Sequence, residues 1–406
     1  MNIKSKLPCL LCALLLLFTV LLPIGAAAEF TEPDGGIIGI ANRGSWHDYP
    51  ENSMEAVLAA AKTGIDAVLV DVSLTADGVP VLMEADSAAR MLNNAEKDEV
   101  AGYTLEELLS YRLKNRSGGA NNKATELTVS TLREALATAE KNRMILVLKL
   151  DVSVCEAVLA ETKDAQNVVF YLTGKTKDVK EAVAKYGADH VILTEKRGNV
   201  IFVQTAFADF INENGGEGVV LKTTNRYGVN FNQTLLKHFY GRSRAIADTS
   251  DPTLTGARED TEKWWNDLLS RGYSVIITND AAGFAAYMQK NNEARDDLAA
   301  AFTEYTENWQ LPQFKSILFN DYRKAYTDAV TQAQKLLADK SASTQDMEDC
   351  RAALIKSCDD IDRNYEALEA GKAGMTVSAP RIGLCIGAVV VVAAVQIFFF
   401  KRREKA

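Results

Sequence analysis

Residues 37–74 read IIGIANRGSWHDYPENSMEAVLAAAKTGIDAVLVDVSL. IIGIA (37–41) and AVLVDVSL (67–74) are apolar runs, and SMEAVLAAAKTG (53–64) between them spaces its apolar residues three and four apart. A strand that is apolar throughout is buried on both faces, and strand–helix–strand order implies a parallel pair. The same alternation continues to about Lys290. Further runs are MILVLKL (144–150), NVVFYLT (167–173), HVILT (190–194), GVVLK (218–222), RAIAD (244–248) and SVIITN (274–279), with helical patterns such as TLREALATAEKN (131–142) and TKDVKEAVAKYG (176–187) between them. Eight strands in about 250 residues is what a closed (β/α)₈ TIM barrel requires. An open doubly wound sheet is the alternative, but no glycine-rich dinucleotide turn follows the first strand.

From Asn291 to Leu368 the pattern is helical only. LFNDYRKAYTDAVTQAQKLLADKSAS (318–343) and TQDMEDCRAALIKSCDDIDRNYEAL (344–368) are amphipathic helices broken near Ser341–Ser343, with Thr344 as the expected start of the second. An aromatic-led helix with spaced alanines, a short turn and a second such helix resembles the FIVAR repeat of bacterial surface proteins. That resemblance implies a spacer or adhesion element.

Both ends carry targeting patterns. Lys4 and Lys6, an apolar run from Leu7 to Ile24 and Ala26-Ala27-Ala28 form a secretory signal peptide over residues 1–28, with an uncleaved anchor as the alternative. Ile382–Phe400 holds one strongly polar side chain, Gln396, and at about 1.5 Å per residue it crosses a ~30 Å hydrocarbon core. Lys401, Arg402 and Arg403 follow it, and basic residues stay cytoplasmic. The expected protein is single-pass in the cell membrane, with barrel and helices outside and a short tail inside. Gly371–Pro380 reads GKAGMTVSAP and lacks a Leu-Pro-x-Thr-Gly sorting box. The predicted organisation is therefore signal peptide 1–28, barrel 29–290, helical domain 291–370, linker 371–381, span 382–400 and tail 401–406.

The composition narrows the partners. Of 406 residues, 45 are basic and 54 acidic, a net charge of −9, and 47% are hydrophobic. That balance excludes a disordered tail and a polytopic membrane protein, and without a basic stripe nucleic acid is not an expected partner. The exported part keeps three cysteines, Cys155, Cys350 and Cys358. The last two are about 12 Å apart along one helix, beyond the ~7 Å a disulfide spans. Three histidines, His47, His190 and His238, leave little for a multi-histidine metal site.

Residues 41–92, ANRGSWHDYPENSMEAVLAAAKTGIDAVLVDVSLTADGVPVLMEADSAARML, carry the chemistry. Arg43-Gly44, Pro50-Glu51-Asn52-Ser53, Asp71-Val72, Thr75-Ala76-Asp77-Gly78, Asp86 and Arg90 fall in register with the glycerophosphodiester phosphodiesterase family, which this stretch resembles. YTLEELLSYRL (103–113), LTVSTLREAL (127–136), a strand ending at Lys149 and GYSVIITND (272–280) extend the resemblance to about 250 residues. It implies a (β/α)₈ barrel and lipid or polyol-phosphate metabolism. It further implies a site of two acid/base histidines, a Glu/Asp/Glu site for Ca²⁺ or Mg²⁺, and an arginine and a lysine on the phosphate.

Residue by residue, the carry-over is incomplete. The histidine positions are Asn42 and Glu84, the first and last metal carboxylates fall at Leu69 and Val147, and Asp71, Arg43 and Lys149 remain. Asparagine neither takes up nor releases a proton, and one carboxylate is a poor site for a hard cation. The sequence therefore predicts a degenerate phosphodiesterase-like protein that needs no cofactor and keeps Arg43 and Lys149 to hold a phosphodiester or polyol phosphate. The alternative is an active, Ca²⁺- or Mg²⁺-dependent hydrolase with a rebuilt site, in which His47 replaces the acid/base pair and Glu84 and Asp86 join Asp71 on the metal. Against that, Glu84 is expected to pair with Arg43 or Lys149. A third alternative is an adhesion or spacer protein acting through its helices.

Overall fold

The structure is a computed structural model that describes residues 35–186, 192–197, 216–222, 236, 244–249, 260–308 and 320–372. The expected signal peptide and the expected membrane span, with His190 and His238, lie outside those residues. No described helix is long and apolar enough to cross a membrane.

Among the described residues eight strands pair in parallel. They are β1 (Ile38–Asn42), β2 (Ala67–Leu74), β4 (Ile145–Asp151), β5 (Val168–Thr173), β6 (Ile192–Arg197), β7 (Gly216–Lys222), β8 (Arg244–Asp248) and β9 (Val275–Thr278). Each pairs with the next around the sheet, and β1 pairs with both β2 and β9, so the sheet curls on itself in a TIM-barrel-like fold. Each strand lies within two or three residues of an apolar run in the sequence. A ninth strand, β3 (Pro80–Leu82), lies outside that ring. It pairs antiparallel with Val72–Leu74, where β2 continues beyond its parallel partners.

Alternate residues divide the core. Ile38, Ile40, Ala67, Leu69, Ile145, Val147, Val169, Tyr171, Ile246, Val275 and Ile277 form one buried apolar cluster. Their period of two puts them on one face of each strand, and the residues between them pack in a separate cluster with the helices. Among the helices of that outer layer are α1 (Met54–Ala61), α4 (Leu132–Asn142), α5 (Cys155–Thr162) and α6 (Thr176–Tyr186). The segment between β3 and α4 carries two short helices, α2 (Ala88–Met91) and α3 (Leu105–Ser110), on its own small core of Met83, Met91, Leu92, Tyr103 and Leu113.

Local signals set the loop ends. Ser53 caps α1 by accepting from Ala56 N at 3.2 Å, and Thr104 and Thr131 each form a capping box with a glutamate. In the Thr75–Gly78 turn, Asp77 Oδ1 accepts from Thr75 Oγ1 at 2.6 Å and from Leu105 N at 3.0 Å. These residues shape backbone at the strand ends.

α7 (Glu262–Arg271), which precedes β9, and α8 (Ala281–Thr303), which follows it, also add residues to the outer cluster; α9 (Asn320–Ala338) and α10 (Thr344–Lys372) come after them. The cap of α10 is Ser343, whose Oγ accepts from Asp346 N at 3.1 Å, one residue before the expected start at Thr344. The chain divides into two compact units. The first joins the residues up to Ala300 with Gln332–Arg351. Within it Asn291 Nδ2 donates to Ala342 O and Thr344 Oγ1, and Arg295 donates to the carbonyls of Leu336, Leu337 and Asp339 at the end of α9. The second joins Ala301–Thr331 with the chain from Ala352, on a small core of Ala301, Ala329, Leu354 and Cys358. Cys155, Cys350 and Cys358 are all buried.

Candidate functional site

The carboxyl ends of β1, β2 and β4 place polar side chains one step beyond the apolar cluster. Asn42, Asp71 and Lys149 each lie two residues past a buried apolar residue, Ile40, Leu69 and Val147. The register pairs Leu69 with Val147 and Asp71 with Lys149. Successive rungs on one face thus change from alkyl to charge.

Arg43 enters through its backbone. It follows the last residue of β1 with φ 58°, and Gly44 follows with φ 75°. A Cβ on Gly44 would stand 2.5 Å from the carbonyl carbon of Ala56 and 2.7 Å from Val57 N, so only glycine lets the turn close against α1. Arg43 N donates to Leu69 O at 2.8 Å, and Asn52 N donates to Arg43 O at 3.1 Å.

Three carboxylates converge on that guanidinium. Nε lies 2.6 Å from Asp71 Oδ2, Nη1 3.2 Å from Glu51 Oε1 and Nη2 2.8 Å from Glu84 Oε1. Arg90 Nη2 closes the other side, 2.7 Å from Glu51 Oε1 and 3.1 Å from Glu84 Oε2. Lys149 Nζ lies 3.4 Å from Asp71 Oδ1. Asn52 clamps Asp71 twice, accepting from its backbone N at 2.9 Å and donating to Oδ2 at 3.1 Å. Three cations and three carboxylates therefore form one balanced cluster.

Burial and charge work against each other here. Burial alone would raise the Asp71 carboxyl, but Arg43, Lys149 and the Asn52 hydrogen bond hold it at about 2. Burial likewise opposes the charge on Arg43, and Asp71, Glu51 and Glu84 outweigh it and drive its pKa upward.

This donor set does not fit a divalent cation of the Ca²⁺ or Mg²⁺ kind. Such ions take six or more oxygens, whereas Asp71 stands above two buried alkyl side chains with its oxygens turned to Arg43, Lys149 and Asn52. Among the described residues no group of three or more His, Cys, Asp and Glu is placed to hold a metal ion. Glu84 lies with its carboxylate on the two arginines, and Asp86 is exposed. The carboxylate that joins Asp71 and Glu84 on Arg43 is Glu51.

Asn42 belongs to a second, neutral group. Its Nδ2 donates to Asn279 Oδ1 at 3.0 Å, and so does Trp46 Nε1 at 3.0 Å. Asn279 is fixed from behind because its backbone N donates to Asp260, a partly buried carboxylate that also accepts from Thr249, Thr278 and Trp265. Burial raises the Asp260 carboxyl, against the pull of those four donors. His47 is exposed and stacks on Trp46 at 4.0 Å between ring centroids, in the loop that follows β1.

The model of the glycerophosphoryl diester phosphodiesterase family matches residues 43–197, from Arg43 through β6. The chain carries a glycerophosphoryl diester phosphodiesterase family domain. Human and bovine Glycerophosphodiester phosphodiesterase 1 are 33% and 34% identical to it over 119 and 121 residues, each match covering 28% of this chain. The chain spans about a third (34%) of the length of those curated relatives. A crystal structure of a glycerophosphoryl diester phosphodiesterase from Parabacteroides distasonis superposes with TM-score 0.50 at 19% identity, covering 63% of this chain and 88% of that one. That likeness extends the shared fold beyond the matched segment.

Within the family domain, Arg43, Glu51, Asp71, Glu84, Arg90 and Lys149 meet in one cluster. Glu51, Asn52 and Arg90 were in register with the family, but nothing in their spacing tells which side chain each meets. Asn279 and Asp260 had no sequence signal beyond the end of a strand and an isolated acid.

Proposed function

We propose that this is a phosphodiesterase-like surface protein without hydrolytic chemistry, whose barrel mouth serves as a binding module for a phosphodiester or polyol phosphate. The observation that carries this reading is the self-neutralised cluster on Arg43. Phosphodiester hydrolysis draws on a metal ion to offset phosphoryl charge and on an acid/base pair for nucleophile and leaving group. At the family's acid/base positions stand Asn42, bonded to Asn279, and Glu84, paired to two arginines. Two of its metal positions are the buried Leu69 and Val147. The groups retained, Arg43 and Lys149, are those that bind and orient an anion.

In this reading the signal peptide is removed near Glu29 and Ile382–Phe400 holds the protein in the cell membrane. The helices, FIVAR-like in pattern, then carry the barrel on the outer side. Added protease should release the barrel from intact cells, and full protection would refute that orientation. The functional test is turnover of bis-p-nitrophenyl phosphate and glycerophosphocholine, with and without Ca²⁺ or Mg²⁺. No product above the blank is expected, and metal-dependent turnover that Asp71→Ala abolishes would overturn the proposal.

A further inference from the structure

We propose that Glu84 is an internal counter-ion seated in an anion site built by Arg43 and Arg90, and that a monoanionic phosphodiester binds by displacing it. This rests on the non-catalytic reading of the same mouth and adds the residue that controls entry. The two oxygens of Glu84 bridge two guanidinium groups, Oε1 at 2.8 Å from Arg43 Nη2 and Oε2 at 3.1 Å from Arg90 Nη2. A carboxylate held in this way presents two oxygens to two cationic donors, as two non-ester oxygens of a phosphate would.

Of the three carboxylates in the cluster, Glu84 is the one able to leave. Its side chain is 35% exposed, against 3% for Glu51 and 6% for Asp71. Glu51 bridges both arginines from within, and Asp71 is tied to Arg43, Lys149 and Asn52. The backbone around Glu84 is anchored, since its carbonyl accepts from Ser87 N at 3.1 Å and from Ser87 Oγ at 2.8 Å. Displacement is therefore a side-chain rotation, with the loop held in place.

Charge then selects the ligand. With Glu84 withdrawn, Arg43, Arg90 and Lys149 face Glu51 and Asp71, leaving one positive charge. A phosphodiester monoanion restores neutrality, whereas a phosphomonoester dianion leaves a negative excess beside two buried carboxylates. The Glu84 carboxylate thus sets a threshold that weak anions do not cross.

The experiment is calorimetric titration of the full-length chain with glycerophosphoglycerol at constant ionic strength. Glu84→Gln, nearly the same shape without the charge, should bind the diester roughly tenfold more tightly than the parent, the scale of one charge-assisted contact. The gain should exceed that for glycerol 3-phosphate, and it should vanish when Arg90→Gln is added. Because Glu51 is buried against Arg90, Glu84→Gln with Arg90→Lys is measured as well; it keeps the charge but loses the fork, and most of the gain should disappear. Equal affinity of parent and Glu84→Gln, or a gain that survives both Arg90 changes, would overturn the proposal. Product release is followed in the same titrations. Hydrolysis there would count against the non-catalytic reading alone, and the affinities would still judge Glu84.

Discussion

Two successive rungs on the same strands have opposite characters. Leu69 and Val147, paired in register, are buried in the apolar cluster of the barrel. Asp71 and Lys149, paired two residues further on, belong to the charged cluster around Arg43. The inner rung gains from removing alkyl groups from water, about 1.5–3 kcal/mol per side chain. The outer rung gains only while every buried charge has its partner. The inner rung is thus part of the core, and the outer rung is part of an ion-pair network above it.

The sharpest way to break this contrast is to put charge on the inner rung. Val147→Glu should cost about 4–5 kcal/mol or more in denaturant unfolding, since its carboxylate would enter an apolar cluster with no partner provided. If Ca²⁺ restored that stability, the two rungs would together form a cation site and the contrast would fail. Removing charge from the outer rung comes next. Asp71→Ala leaves the Arg43 guanidinium short of its closest partner and should cost about 3 kcal/mol by the same measurement.

Acid should separate the rungs without mutation. Asp71 titrates near 2 in the folded protein against an ordinary 3.8, so its contribution is present above pH 4 and is lost as pH falls toward 2. A shift of that size corresponds to about 2 kcal/mol. Urea unfolding between pH 5 and 2 should show this loss in the parent and not in Asp71→Asn. The smallest effect belongs to Glu84→Gln. Its side chain is partly exposed and solvent-screened, so unfolding should move by less than about 1 kcal/mol.

The strands were legible because barrel strands buried on both faces read as continuous apolar runs, and each of the eight runs corresponds to a strand. β3 is three residues long and pairs only with the overhanging end of β2, so the barrel pattern does not call for it. Asn42, Leu69, Glu84 and Val147 were reached through the resemblance alone, by their offsets from Arg43, Asp71 and Lys149. The partners of Arg43 were less legible. Glu51 reaches it because Arg43, Gly44 and Asn52 all adopt positive φ, which folds the Pro-Glu-Asn-Ser segment back over the strand end. Arg90 arrives from a different loop, and only the folded chain brings the two arginines to one carboxylate.

On the proposed reading Asp71 serves the ion-pair network and holds no metal. Calorimetric titration of the full-length chain with Ca²⁺ and with Mg²⁺ tests it most directly. No saturable one-to-one heat that depends on Asp71 is expected. Tight stoichiometric binding to the parent that Asp71→Ala abolishes would contradict it.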